Sequence, residues 1–296
     1  MHIAAFPKCY LDAICIDRTM DVFQWIDMAD ALEVEGLELY EGFFASLDRG
    51  YLESIGDALA RGNHAMPMLC VSADFTHPDP TCRTRAVEHQ LRMMETARFL
   101  GGRGTACRIL TGQRYPGLSL QEGLERVAEC YDRILPVAAE LDIVLALENH
   151  YKDGYWTWPE FAQKMAVFLK VLASVPESPH FGVQYDPSNA FVAGDDPIEL
   201  LDAVLPRVVT MHASDRFLAE GATLEDVKAA DGSIGYLDAL QHGVTGQGLN
   251  DYDAIFSRLA QAGFNGWVSI EDGMHGMDEM RRSVDFLRAM RAKHFA

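Results

Sequence analysis

The sequence predicts an α/β fold of one kind: a single-domain (β/α)8 TIM barrel occupying residues 1–296. Three observations lead there. Eight short apolar runs alternate with stretches of helical period, and no linker interrupts them. Strands that are each followed by a helix imply a parallel sheet, and eight such units suggest closure into a barrel. The chain has 296 residues and 49% hydrophobic content, enough for one large core. The segment after the first run, "FPKCYLDAIC", is no glycine-rich phosphate loop, which a doubly wound sheet would favour at that point.

The strands come in order as "HIAAF" (2–6), "GLELYEG" (36–42), "HAMPMLCVS" (64–72), "GTACRIL" (104–110), "IVLALEN" (143–149), "HFGVQYD" (180–186), "VVTMHAS" (208–214) and "GWVSIED" (266–272). Each is a short, β-rich apolar run of strand length. Between them lie amphipathic helices such as "TRAVEHQLRMMETARFLG" and "LQEGLERVAECYDRILPVAAELD". Gly101–Gly102 closes the first of these; Ser119, with Glu122 three residues on, opens the second as a capping box. One connection is long: about 35 weakly periodic residues separate "MHAS" from "LNDYDAIF". Loops of that size are usually functional or locally structured. It reads as an elaborated loop after strand seven, over the barrel mouth, or as an oligomer contact.

Bulk chemistry narrows the partners. A net charge of −19 repels phosphate backbones, so no nucleic-acid partner is expected. No apolar run reaches about 18 residues, so no membrane span is expected. The start lacks a basic region and a long apolar stretch, which argues against a signal peptide. The six cysteines show no CxxC and no regular spacing, as in reduced thiols of a cytoplasmic protein.

In such a barrel the active site lies at the C-terminal ends of the strands. The fifth strand ends in Glu148 and His150, the sixth in Asp186, the seventh in His212, the eighth in Glu271. Side chains two apart on a strand share a face, so Glu148 and His150 both point into the mouth, with Leu147 and Asn149 outward. Glu148, Asp186, His212 and Glu271 form an O/N ligand set with room for substrate oxygens. Such a set suits Mn²⁺, Mg²⁺ or Co²⁺, with Zn²⁺ as a further option.

Read as "ALENH", "VQYDPSN", "TMHASDR" and "VSIEDG", these four motifs resemble the xylose-isomerase-like barrel family, over essentially the whole chain. That family includes sugar isomerases, ketose 3-epimerases, inosose dehydratases and endonuclease IV-type enzymes. The resemblance implies metal ligands at Glu148, Asp186, His212 and Glu271, with Mn²⁺ the first expectation. It also implies a small sugar or keto-sugar substrate, and dimers or tetramers as in relatives. Ketose 3-epimerases carry a histidine three residues after the aspartate ligand, where this chain has Asn189, a departure that points away from simple ketose epimerisation. "ENHYKDGYW", "YDPSNA" and "SIEDG" look closer to a branch that includes catalytic subunits of C-glycoside deglycosidases, which would bring a second subunit.

The implied activity is isomerisation or epimerisation by proton transfer next to a carbonyl, through a metal-stabilised enediolate. The alternatives are elimination of the anomeric substituent of a 3-oxo-glycoside, dehydration of a keto-polyol, and, further off, a non-catalytic sugar-binding barrel. His150 is the candidate base because its ordinary pKa lies near neutrality, and Glu148 and Glu271 are further catalytic candidates. Glu41 reads as a second acid/base or a salt-bridged mouth residue. His77 reads as a substrate contact or a turn residue before Pro78. Arg108 would neutralise acids or hold a hydroxyl. Lys152, Trp156 and Trp158 follow strand five, where aromatic faces would stack on sugar C–H groups or simply pack the loop. Gln184 shares the inward face of Asp186. Asp215 would orient His212 or polarise a lysine, and Arg216 would bind a substrate oxygen. The glycines of "HGVTGQGLNDYDAIF" suggest no phosphate loop, because no Lys-Ser/Thr follows; "NDYD" suits a helix N-cap.

Overall fold

The computed structural model describes residues 1–229, 239–271 and 274–295. Asp272, at the end of the eighth predicted strand, and residues 230–238 of the long connection lie outside the described residues.

All eight predicted runs contain strands, each shorter than its run: His2–Ala5, Gly36–Leu37 with Leu39–Tyr40, Met68–Cys70, Ala106–Ile109, Val144–Glu148, Phe181–Tyr185, Val208–Ala213 and Trp267–Ile270. The ladders are all parallel and follow chain order, with the eighth strand beside the first. Nine paired segments become eight barrel strands because the second strand is counted in two pieces. Gly36–Leu37 pairs with the first strand and Leu39–Tyr40 with the third. Glu38, at the hand-over, still donates its N–H to the Ala5 carbonyl. The two ends of the sheet therefore meet inside one strand, and the barrel closes.

These strands read as near-continuous apolar runs because helices cover the outside and side chains fill the inside. All five residues of Phe181–Tyr185 are buried, as are four of the five in Val144–Glu148. The helices start where the sequence says they should. Ser119 accepts from the Glu122 N–H at the start of Leu120–Leu141, and Asp251 accepts from Ala254 to open Tyr252–Gln261. Gly102, at φ +82°, ends the helix Pro80–Gly101 in a backbone region that L side chains avoid.

One irregularity bears on the site. Between the sixth and seventh strands the register shifts at Val183/Gln184: Val183 pairs with Val208, but Gln184 with Thr210. The extra residue, Val209, is a bulge of the kind that re-aims side chains near functional sites. It lies three residues before His212 and opposite Gln184, which is two before Asp186.

The long connection after the seventh strand has structure of its own. Asp215–Leu218 and Leu240–Gly243 form an antiparallel pair, with a short helix at Leu224–Ala229. A small apolar cluster of Tyr151, Val192, Val227 and Leu240 ties this insertion to the loops after the fifth and sixth strands. Among the described residues no helix is long and apolar enough to cross a membrane.

Candidate metal centre at the barrel mouth

The four residues that end strands five to eight meet in a buried polar cluster. Glu148, Asp186 and His212 each offer a ligand atom within 4.8 Å of the others. Glu271 Oε1 lies 3.8 Å from His212 Nδ1. Nδ1 is also 3.2 Å from Glu148 Oε1, while Nε2 on the far side of the ring is 2.7 Å from Glu38 Oε2. One nitrogen thus faces the acids and the other is held by a carboxylate, the arrangement that fixes a metal-ligating imidazole in one tautomer.

Two cations offset part of the acidic charge. Arg108 donates from Nη1 to Glu148 Oε2 at 2.8 Å, and its other nitrogens bond the Val71 carbonyl and Ser72 Oγ. Lys8, in the turn after the first strand, donates to Glu271 Oε2 at 3.0 Å. Asp186 Oδ1 accepts from the Asn189 N–H and Ser214 Oγ, whereas Oδ2 is buried without a partner. Asn149 clips the ends of the fifth and sixth strands together through both backbone groups of Asp186. Asn189 Nδ2 reaches Glu148 Oε1 at 3.3 Å.

The donor set fits a divalent cation on charge as well as geometry. Four carboxylates (Glu38, Glu148, Asp186, Glu271) face two permanent cations, leaving a deficit that an M²⁺ ion would cancel, and Asp186 Oδ2 is an oxygen still seeking a partner. Protons compete for the same atoms. Burial works against the His212 imidazolium, but Glu38, Glu271 and Glu148 outweigh it and hold its pKa well above the ordinary value. Burial, reinforced by Glu271 and Glu148, pushes Asp186 up to about 7. Burial opposes ionisation of Glu148 too, yet the charges of His150, Arg108 and His212 keep it well below the usual carboxylate range. Both raised groups are candidate metal donors, so metal binding at pH 7 is expected to expel at least one proton and to weaken as pH falls through 7. Calorimetric titration of Mn²⁺ in buffers of differing ionisation enthalpy measures this directly; an observed heat independent of buffer would contradict it.

Above the cluster lies a cavity of about 440 Å³, lined among others by Lys8, Tyr40, Arg108, His150, Lys152, Asp153 and Glu271. His150 is buried, its Nδ1 bonds nothing, and its ring stacks on Tyr151 with centroids 5.1 Å apart. Burial pushes its pKa down to about 4, so the imidazole is neutral at pH 7. Gln184 is fully buried with neither amide atom bonded.

Other sequence candidates have different surroundings. Glu41 turns to the Ser72 N–H and to His89. His77 accepts from the Asp79 N–H and packs edge-on to Tyr115. Trp156 is buried in its loop and Trp158 donates its N–H to Gln113. The described bonds of Asp215 take both its oxygens to the 246–250 loop: Gly246 and Gly248 donate to Oδ2, Asn250 to Oδ1. The glycine-rich segment is therefore a cradle whose anion is the chain's own. Gly248 is needed there, since a Cβ would lie 2.3 Å from Asp215 Oδ1 and the Arg216 carbonyl. Arg216 is buried in the same insertion, its backbone paired with His242. Because several buried N–H groups lose their acceptor together, Asp215→Ala is expected to cost more than about 2 kcal/mol, read as a lower denaturant midpoint; an unchanged midpoint would remove this anchoring role.

Sequence reasoning missed Glu38 and Lys8. It inspected strand ends, while Glu38 sits inside a strand and Lys8 just beyond one. The available signal was an acid in "GLELY" on the face shared by Gly36 and Tyr40, where a barrel interior expects an apolar side chain.

Fold and cluster together define a (β/α)8 barrel with a metal-type donor set at the C-terminal mouth. Residues 26–290 match the model of the xylose isomerase-like TIM barrel, and the chain belongs to that family. It is 25% identical over 150 residues to an inosose dehydratase of Yersinia enterocolitica and 26% over 153 residues to one of Glaesserella parasuis, matches that cover 50% and 51% of this chain. The chain spans about half the length of these curated relatives, 47% and 48%. Similar solved structures include a D-tagatose 3-epimerase-like protein (TM-score 0.75, 15% identity, 99% of this chain and 97% of that one). The IolI protein with a bound zinc atom gives TM-score 0.75 at 16% identity, over 100% of both chains. The 3-keto-D-glucoside 4-epimerase of E. coli gives 0.68 at 14%, over 99% of both. At these identities the structures show a shared fold.

Proposed function

We propose that this protein is a divalent-metal-dependent sugar isomerase or epimerase that moves a proton next to a substrate carbonyl. The observation that carries this reading is a metal-type donor set beside a cavity that His150 lines with an unbonded Nδ1. Glu148, Asp186, His212 and Glu271 would hold the ion, and Mn²⁺ is the first choice, with Mg²⁺, Co²⁺ or Zn²⁺ as alternatives. A bound ion supplies Lewis acidity, acidifying the C–H beside the carbonyl.

The chain's residues do the rest. His150 Nδ1 is free to take the proton and, once protonated, sits beside the carboxylate of Glu148, which favours the charged ring. Arg108 and Lys8 place positive charge at the cavity floor, where substrate oxygens gain negative charge. Gln184 has an unbonded amide with which to orient a hydroxyl. The proton's destination decides the reaction: return to a neighbouring atom is isomerisation, return to the opposite face is epimerisation. Loss of a β-substituent would be elimination, the reaction class named by the dehydratase relatives.

Incubation with Mn²⁺ in D₂O and a panel of ketoses, inososes and 3-keto-glycosides tests this. Deuterium should enter one carbon adjacent to the carbonyl, and only with metal present. No exchange with any carbonyl sugar would leave a sugar-binding barrel as the better reading.

A further inference from the structure

The imidazole of His212 has two sides, and only Nδ1 faces the acids of the mouth centre. Its Nε2 side meets Glu38, inside the second strand, and Cys70, which ends the third. Glu38, Cys70 and His212 each place a donor atom within 4.8 Å of the others. All three are 0% exposed, and the Cys70 thiol lies within hydrogen-bond reach of His212. Neither Glu38 nor Cys70 lines the mouth cavity.

This pocket of donors is not saturated. Glu38 Oε1 is buried and bonds nothing. Ser269, in register with His212 on the eighth strand, is also fully buried, with an unbonded Oγ. Buried carboxylates are as a rule paired or bound to metals, and an unbonded buried oxygen calls for a partner. A thiol, an imidazole and a single carboxylate form a softer donor set than the acids at the mouth. Thiolate sulfur selects Zn²⁺ and its soft relatives, whereas carboxylate-rich sets suit Mn²⁺ and Mg²⁺. Sites closed to solvent, with no position left open for substrate, are the structural kind.

We infer that Glu38, Cys70 and His212 Nε2 form a second, structural metal site, selective for a thiophilic divalent ion such as Zn²⁺. Ser269 Oγ stands beside it as a further oxygen. Binding forms metal–sulfur, metal–nitrogen and metal–oxygen bonds, while the thiol proton of Cys70 and the Nε2 proton of His212 leave to solvent. The ion ties the second and third strands to the seventh inside the barrel. With both centres filled, His212 bridges them as an imidazolate. The site shares His212 with the proposed mouth centre and involves no substrate.

Metal-stripped protein titrated separately with Mn²⁺, Zn²⁺ and Cd²⁺ provides the test. Calorimetry reads the stoichiometry, and ultraviolet thiolate-to-cadmium charge-transfer absorption reads sulfur ligation. Two Zn²⁺ or Cd²⁺ ions per chain are expected against one Mn²⁺, with the absorption present in the parent. Cys70→Ser and Cys70→Ala should each lose one Cd²⁺ and its share of the absorption while still binding one Mn²⁺. In Glu148→Gln, Zn²⁺ should still bind and raise the thermal midpoint, as any ligand of the native state does, and Mn²⁺ should not. Equal stoichiometry for Mn²⁺ and Cd²⁺ in the parent would overturn the second site, whether or not a Cys70 variant folds. So would an absorption that both Cys70 variants retain in full, or failure of Glu148→Gln to bind Zn²⁺. If Glu148→Gln binds Mn²⁺ like the parent, the mouth assignment fails instead, and the Cys70 variants still decide the second site.

Discussion

Glu148→Gln loses divalent-metal retention, with affinity for Mn²⁺ down by more than about a hundredfold, and activity disappears with it. Glutamine matches glutamate in shape, and its single oxygen can still accept from Arg108. Its NH₂ then faces Asn189 Nδ2 and His212 Nδ1, so a folding control by circular dichroism accompanies the variant. What goes is the negative charge beside His212 Nδ1. Glu38→Gln is the graded companion. Glu38 touches His212 from the far side at Nε2 and offers no contact to the other acids' ligand atoms. Its loss should weaken metal binding by about ten- to a hundredfold, the usual effect of removing the partner that orients a ligating histidine. The far side of the ring matters because a neutral imidazole carries one proton: with Nε2–H donated to Glu38, Nδ1 keeps the lone pair a metal needs. Calorimetry on metal-stripped protein reads both effects. If Glu148→Gln binds Mn²⁺ like the parent, the assignment of the centre is wrong. If only Glu38→Gln does, contacts other than the Glu38 carboxylate orient His212, such as the Phe6 ring with its centroid 6.2 Å away.

Much of this centre was legible because barrel geometry ties function to strand ends. Glu148, Asp186, His212 and Glu271 are polar residues terminating buried apolar runs, and strand period alone turns Glu148 and His150 the same way. What stayed hidden depended on contacts between distant segments. Lys8 reaches Glu271 across 263 residues of chain and Glu38 reaches His212 across 174, and no local pattern encodes either pairing. The bulge at Val209 is equally invisible, since "VVTMHA" reads as an unbroken strand. Asp215 shows the opposite case. An acid next to a ligand motif reads as orienting His212 or polarising a lysine, whereas its described bonds hold a glycine-rich turn. Only the fold brings residues 246–250 beside it.

His150→Ala separates chemistry from metal binding. The imidazole lines the cavity, but its Nδ1 bonds nothing and none of the close contacts among the four ligand residues runs through it. Mn²⁺ affinity should therefore stay within about threefold of the parent, while turnover falls by the 10²–10⁴ that a positioned general base typically contributes. The change should appear in kcat more than in KM, because a proton acceptor acts in the transition state and adds little to ground-state binding. The pH profile gives a second readout. With the free imidazole's pKa pushed down to about 4 by burial, the base form persists well below neutrality. At Mn²⁺ concentrations that keep the centre loaded, the acid limb of kcat/KM in the parent should thus lie below pH 6, and His150→Ala should lose the part of that limb that added Mn²⁺ does not shift. Full turnover in His150→Ala would move the base role to another acid/base group lining the cavity, such as Glu271, Asp153 or Lys8.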